Sequence, residues 1–150
     1  MGYKIRPVAT GDFCALLKIE HDAFGGDGYS PYFLKMVPEL YPLTCFVATV
    51  DESLVGYGLG ARDGHDESLG WILTVAVMPA RQGQGIGKAL TERLVQTMQS
   101  LGMTTLMLTV EPSNPARELY TKLGFVEVKL ERDCYGPDKD RLYMERRVRP

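Results

Sequence analysis

The stretch Val75-Ala76-Val77-Met78-Pro79-Ala80-Arg81-Gln82-Gly83-Gln84-Gly85-Ile86-Gly87-Lys88 constrains this chain more than any other. A β-rich run closed by Pro79, then glycines at alternate positions, then an apolar-periodic run reads as strand, tight turn and helix. The first turn of a helix presents unpaired N–H groups and a partial positive charge, so it attracts an anion. Glycine lets a phosphate approach that backbone with no Cβ in the way. Two phosphate motifs fail on named residues. A P-loop requires glycine where Gln82 stands and Ser or Thr where Ala89 stands. A dinucleotide fingerprint requires a third glycine where Lys88 stands.

The rest of the chain supplies the elements around this loop. Ile5 and Val8 mark a short opening strand. Asp12 is placed to cap a helix carrying Phe13, Leu16, Leu17 and Phe24, broken by Gly25-Gly26-Asp27-Gly28. Ser30-Pro31 starts a second helix, which Pro38 and Pro42 interrupt. Cys45–Val50 and Leu54–Leu59 flank Asp51-Glu52-Ser53 as a hairpin. Leu69–Val77 reads as a long buried strand, and the helix after the glycine loop runs to about Ser100, with Leu90, Leu94, Met98 and Leu101 near one face. Gly102 closes it. A strand over Thr104–Val110, a helix over Asn114–Leu123 closed by Gly124, and strands Phe125–Leu130 and Leu142–Arg147 complete the order β-α-α-β-β-β-α-β-α-β-β. That order implies an α/β domain, a mixed sheet with helices packed on it, spanning residues 1–150.

Composition excludes several functions. Net charge is −2 over 150 residues, with 17 basic and 19 acidic side chains, so no broad basic stripe for nucleic acid is expected. Cys14, Cys45 and Cys134 are odd in number and far apart, and His21 and His65 are isolated, so neither a disulfide framework nor a metal site is expected. No apolar run approaches membrane-spanning length, and the N-terminus lacks a signal core. The expectation is a cytoplasmic protein without membrane or nucleic-acid partners.

The remaining pattern, Gln82-x-x-Gly85-x-Gly87, resembles the coenzyme A pyrophosphate loop of the GNAT (N-acetyltransferase) superfamily. Val75-Ala76-Val77 before Pro79 resembles that family's central strand. Asn114, Ala116, Leu119 and Tyr120 resemble its next helix, and Gly124-Phe125 the turn after it. The resemblance implies a mostly antiparallel sheet of about seven strands with about four helices, and acetyl-CoA as co-substrate. It implies that Val75, Ala76 and Val77 meet the pantetheine arm and thioester. It also implies that Gln82, Gly83, Gln84, Gly85, Ile86, Gly87 and Lys88 hold the pyrophosphate. Tyr120 falls at the family's general-acid phenol. Asn114 lies one residue nearer Ala116 than the family pattern has it, which puts its coenzyme contact in question and leaves it a good helix cap.

The chain also resembles, more weakly, the ribosomal-protein N-alpha-acetyltransferases, whose fifth strand carries a glutamate base. Thr109 stands at that position, and a threonine hydroxyl is no base. Glu111, two residues on, is the candidate replacement, with Glu67 and Asp66 as further carboxylates and proton loss to solvent as the remaining route. Phe24, Tyr29 and Tyr135 are candidates for the acceptor pocket. The missing glutamate, with Gly136 in place of a second tyrosine, leaves a small-molecule amine as open as a peptide N-terminus. Two other functions fit the same residues: a coenzyme A-binding module without turnover, and transfer of a different acyl group. The family admits a monomer or a homodimer.

Overall fold

The expected element order is observed. The computed structural model describes residues 2–149; Met1 and Pro150, the ends of the expected 1–150 domain, lie outside them. The elements are β1 (Lys4–Pro7), α1 (Phe13–Phe24), α2 (Pro31–Leu40), β2 (Cys45–Val50), β3 (Ser53–Arg62), β4 (Leu69–Val77), α3 (Ile86–Ser100), β5 (Thr105–Val110), α4 (Ala116–Lys122), β6 (Val126–Glu131) and β7 (Arg141–Arg147). The strands form one seven-stranded sheet in the order β1-β2-β3-β4-β5-β7-β6. Only β4 and β5 run parallel; every other neighbouring pair is antiparallel.

Strand alternation divides the core between the two faces. Phe46, Ala48 and Val50 of β2 point to one face, with Leu106, Leu108, Val110, Leu142 and Met144, against Leu90, Leu94 and Met98 of α3. Cys45 and Val47 point to the other, with Tyr57 and Leu59, against Leu16 and Ile19 of α1 and Leu34 and Val37 of α2. Gly56, Gly58 and Gly60 fall on the α3 side of β3. A Cβ at Gly58 would sit 3.0 Å from Leu94 Cδ1, and one at Gly60 2.7 Å from Met98 Sδ. The stripe of missing side chains lets α3 lie close to the sheet.

Local signals explain most element ends. Asp51 and Glu52 both adopt positive φ in a two-residue turn, the twist a tight hairpin demands. Ser30 Oγ accepts from the Phe33 N–H at 3.3 Å, the expected N-cap of α2. Gly102 and Gly124 each end a helix at positive φ. The Met103 N–H bonds the Met98 carbonyl, and the Phe125 N–H bonds the Tyr120 carbonyl, the longer bond of a Schellman cap in both cases.

Two local expectations are corrected. Asp12 does not cap α1. Its carboxylate accepts both guanidinium ends of Arg6 at 2.9 Å and the Ala9 N–H at 2.8 Å, so it closes the preceding turn instead. Pro38 does not interrupt α2, which continues to Leu40. So near the C-terminal end the ring costs one ladder bond only, and its burial offsets that loss.

Candidate active site

The site forms where β4 and β5 part. They pair only from Leu69↔Thr105 to Trp71↔Met107, after which β4 runs on to Val77 and β5 to Val110 unpaired with each other. A bulge against β3 helps to turn β4 away, because Leu59 pairs with Thr74 and Gly60 with Ile72, leaving Leu73 over. The Met78 N–H bonds the Val55 carbonyl across β3. By alternation, Ala76 and Thr74 bond toward β3, while Val75 and Val77 turn their amides and carbonyls into the gap.

The glycine loop closes the upper end of that gap. Gly83 and Gly85 have φ of 79° and 85°. The first ladder bond of α3 runs from the Ala89 N–H to the Gly85 carbonyl, so the amides of residues 83 to 88 donate to no backbone acceptor among the described residues. Six consecutive donors left this way at a helix start fit a pyrophosphate. Gln82 works differently from its neighbours: its Nε2 donates to the Val77 carbonyl at 3.2 Å and ties the loop to the end of β4. Lys88 Nζ lies 3.9 Å from Glu92 on the solvated face, leaving its amide as its contribution to the cradle.

Tyr120 lies on α4 and packs into the core cluster on the α3 side of the sheet. Its neighbour Leu119 approaches the helix start beside Gly87 and Val77, where α3, α4 and β4 converge. The Tyr120 ring is 8% exposed and meets Phe125 edge-on at 6.1 Å. Its hydroxyl makes no hydrogen bond among the described residues, yet it is not sealed from solvent. Burial pushes the phenol up to about 12, with Arg141 acting in the opposite sense. Asn114 caps α4, Oδ1 accepting the Ala116 N–H at 2.9 Å.

The lower wall gathers two of the three expected pocket residues. Tyr29 Oη donates to the Leu73 carbonyl, on the bulged residue, at 3.1 Å. Burial first, then the Glu20 carboxylate, raises the Tyr29 phenol to about 12; Tyr135 and Arg141 also act on it. Tyr135 covers the Arg141 guanidinium, 5.3 Å from ring centre. Phe24 ends α1 half in solvent and joins neither hydrophobic cluster. Of the candidate bases, Asp66 and Glu67 precede β4, at the end of the strand away from the glycine loop. Glu111 lies one residue beyond β5, exposed, its carbonyl accepting the Asn114 N–H.

Two neighbours of these residues, Glu20 and Arg141, were not among the candidate site residues. Glu20 is 3% exposed with no cation within ion-pair distance among the described residues; it accepts from the Tyr57 hydroxyl and, at 2.7 Å, from the Tyr29 N–H. Gly28 is obligatory there, since a Cβ would fall 2.8 Å from Glu20 Cγ. This network holds Tyr29 in place. Arg141 opens β7 and donates from Nε to Thr109 Oγ1 at 3.1 Å and from Nη2 to the Thr109 carbonyl at 2.9 Å. Strand register alone brings it there.

Residues 13–125 match the acetyltransferase (GNAT) family. The chain belongs to that family. An N-alpha-acetyltransferase of Sulfurisphaera tokodaii is 31% identical over 95% of this chain and 91% of its own length. An L-2,4-diaminobutyric acid acetyltransferase of Nocardia farcinica is 31% identical over 75% of this chain, which spans 58% of that relative. The solved ribosomal-protein-S18-alanine N-acetyltransferase of Escherichia coli superposes with a TM-score of 0.85 at 25% identity, over 99% of this chain and 96% of that one. These matches establish the GNAT fold and an acetyl-CoA-dependent N-acetyltransferase class. Among the described residues no group of His, Cys, Asp and Glu is placed to hold a metal, and no helix is long and apolar enough to cross a membrane.

Proposed function

We propose that residues 1–150 form one N-acetyltransferase domain that moves the acetyl group of acetyl-CoA to a primary amine by direct attack. Acetyl-CoA supplies the activated thioester. The amides of Gly83 to Lys88 hold its pyrophosphate, and the inward backbone groups of Val75 and Val77 orient the pantetheine arm and polarise the carbonyl. The amine nitrogen attacks that carbonyl, the carbon–sulfur bond breaks, and the Tyr120 hydroxyl gives its proton to the departing sulfur. Glu111 takes the proton released by the amine, through solvent. The acceptor is a peptide N-terminus or a small amine, the two classes named by the relatives. The three free thiols, Cys14, Cys45 and Cys134, fit a cytoplasmic enzyme.

One observation carries the mechanism: next to Leu119, which approaches the start of α3 at Gly87, Tyr120 has a buried ring, a raised pKa and a hydroxyl that no other described residue engages. A phenol held to about 12 stays protonated across the working range, as a general acid must. The test is Tyr120→Phe, which leaves the ring packing and removes the proton. It is expected to lower kcat by roughly 100-fold or more with coenzyme A affinity unchanged in calorimetry. Wild-type kcat/KM should rise with pH as the amine deprotonates and show no alkaline fall at pH 10, where an ordinary phenol would already be half ionised. Equal rates for the two proteins would remove Tyr120 from the mechanism, and binding without transfer to any amine would leave a coenzyme A-binding module.

A further inference from the structure

The sheet face on the α1 side is only partly covered. α1 packs on β3 and β4, leaving Trp71, Thr109, Tyr143 and Arg141 as a half-buried floor beyond its edge. Two loops border this floor, the α1–α2 turn and the β6–β7 loop, and the ion pair of Lys139 with Asp27, at 3.0 Å, joins them. Arg141 stands within this enclosure, close enough for its charge to act on Tyr29 and Tyr120, one on each side of the gap.

Its state of pairing is unusual. No carboxylate among the described residues lies within ion-pair distance of Arg141. Glu131 is its cross-strand partner, yet that carboxylate turns to Lys129 at 3.9 Å. Glu145 pairs with Arg147, and Asp140 accepts the Asp133 N–H. The guanidinium is nonetheless fixed. Thr109 engages Nε and Nη2, and Tyr135 covers one face. What remains is the Nη1–Nη2 edge, two parallel donors on a pre-oriented plane, which is the geometry a carboxylate takes from arginine.

We propose that Arg141 is a specificity-determining residue that binds a carboxylate of the acceptor, and hence that the acceptor is an amine carrying a carboxylate within a few bonds of the reacting nitrogen. This rests on the acetyl-transfer reading above. A free amino acid and a peptide whose first residue is acidic both offer that chemistry. A partly buried arginine held without a counter-ion costs desolvation in the free enzyme, and an anionic acceptor recovers that cost on binding. A simple alkylamine or a polyamine meets a like charge instead.

The experiment is steady-state acetyl transfer with matched acceptors: free amino and diamino acids, their carboxamides, the decarboxylated amines, and peptides beginning with Asp or with Ala. Wild type is expected to favour the carboxylates over the carboxamides by at least 10-fold in kcat/KM. Arg141→Ala should raise KM for the carboxylates by about 10- to 100-fold with little change for the carboxamides, the loss of one charge-assisted bidentate pair. Arg141→Lys should restore part of it, since charge returns without the fork. The free amino acid and the acidic peptide arms identify the source. Equal KM changes for carboxylates and carboxamides, or a wild type that does not discriminate, would overturn the assignment and leave Arg141 as a brace for Thr109 while acetyl transfer stands. Transfer to no amine at all, with coenzyme A still bound, would overturn the transfer reading and this proposal together.

Discussion

At the residue scale, the glycine loop carries its chemistry in backbone rather than side chains. Gly85 combines a φ of 85° with the N-cap position of α3. A Cβ there would meet nothing nearer than the Tyr3 hydroxyl at 3.9 Å, so steric clash inside the protein is not what glycine avoids. Glycine keeps the left-handed turn unstrained and the amide row open. Gly85→Glu is expected to abolish coenzyme A binding in calorimetry, because the carboxylate competes for the donors and repels the pyrophosphate. Gly85→Ala should cost roughly 1–2 kcal/mol of stability and weaken binding much less. Undiminished binding by the glutamate variant would remove the loop from the coenzyme site. This motif was legible because spacing and residue type alone define it. Arg141 was not, because it sits in an ordinary polar stretch and acquires meaning only when strand pairing sets it beside Thr109.

At the element scale, the position of the helix start depends on how closely α3 lies on β3. The glycine stripe was not readable as a packing device; Gly56 and Gly58 read simply as members of the β-rich run Leu54–Leu59. Only the side of the sheet they face, against Leu90, Leu94 and Met98, reveals the reason. The helix ends were readable, since Gly102 and Gly124 announce left-handed caps in sequence. The second of these also seats the Tyr120 ring, for the bond from the Phe125 N–H to the Tyr120 carbonyl and the edge-on Phe125 ring fix Tyr120 from both ends. Gly58→Val should overpack this layer and destabilise by about 1–3 kcal/mol in urea unfolding. It should also weaken coenzyme A binding, because lifting α3 displaces the amide row from the end of β4. A destabilised variant with native affinity would show that the helix start is positioned by α4 instead.

At the scale of the whole molecule, the order of elements was readable from alternating periods and turn residues, but the parting of β4 and β5 was readable only through the family resemblance at Val75-Ala76-Val77. It depends on a bulge at Leu73 and on how far a parallel pair extends, neither of which a local pattern encodes. The same architecture buries ionisable groups on both sides of the sheet. Burial raises the Cys45 thiol from 9.0 to about 12 and the Tyr29 and Tyr120 phenols from 10.0 to about 12, and it raises Tyr57, beside Glu20, further. Below pH 9 these groups are neutral in both folded and unfolded chains and leave stability unchanged. Above it the unfolded chain loses the thiol proton and then the phenol protons, while the folded chain retains them to about 12. The unfolded state then binds fewer protons, so stability falls as pH rises. Urea midpoints followed by circular dichroism should be level from pH 7 to 9 and fall steeply toward pH 12. Because the thiol titrates first, Cys45→Ala should move the onset up toward pH 10, and a midpoint that stays level to pH 11 in the parent protein would mean that these groups are open to solvent.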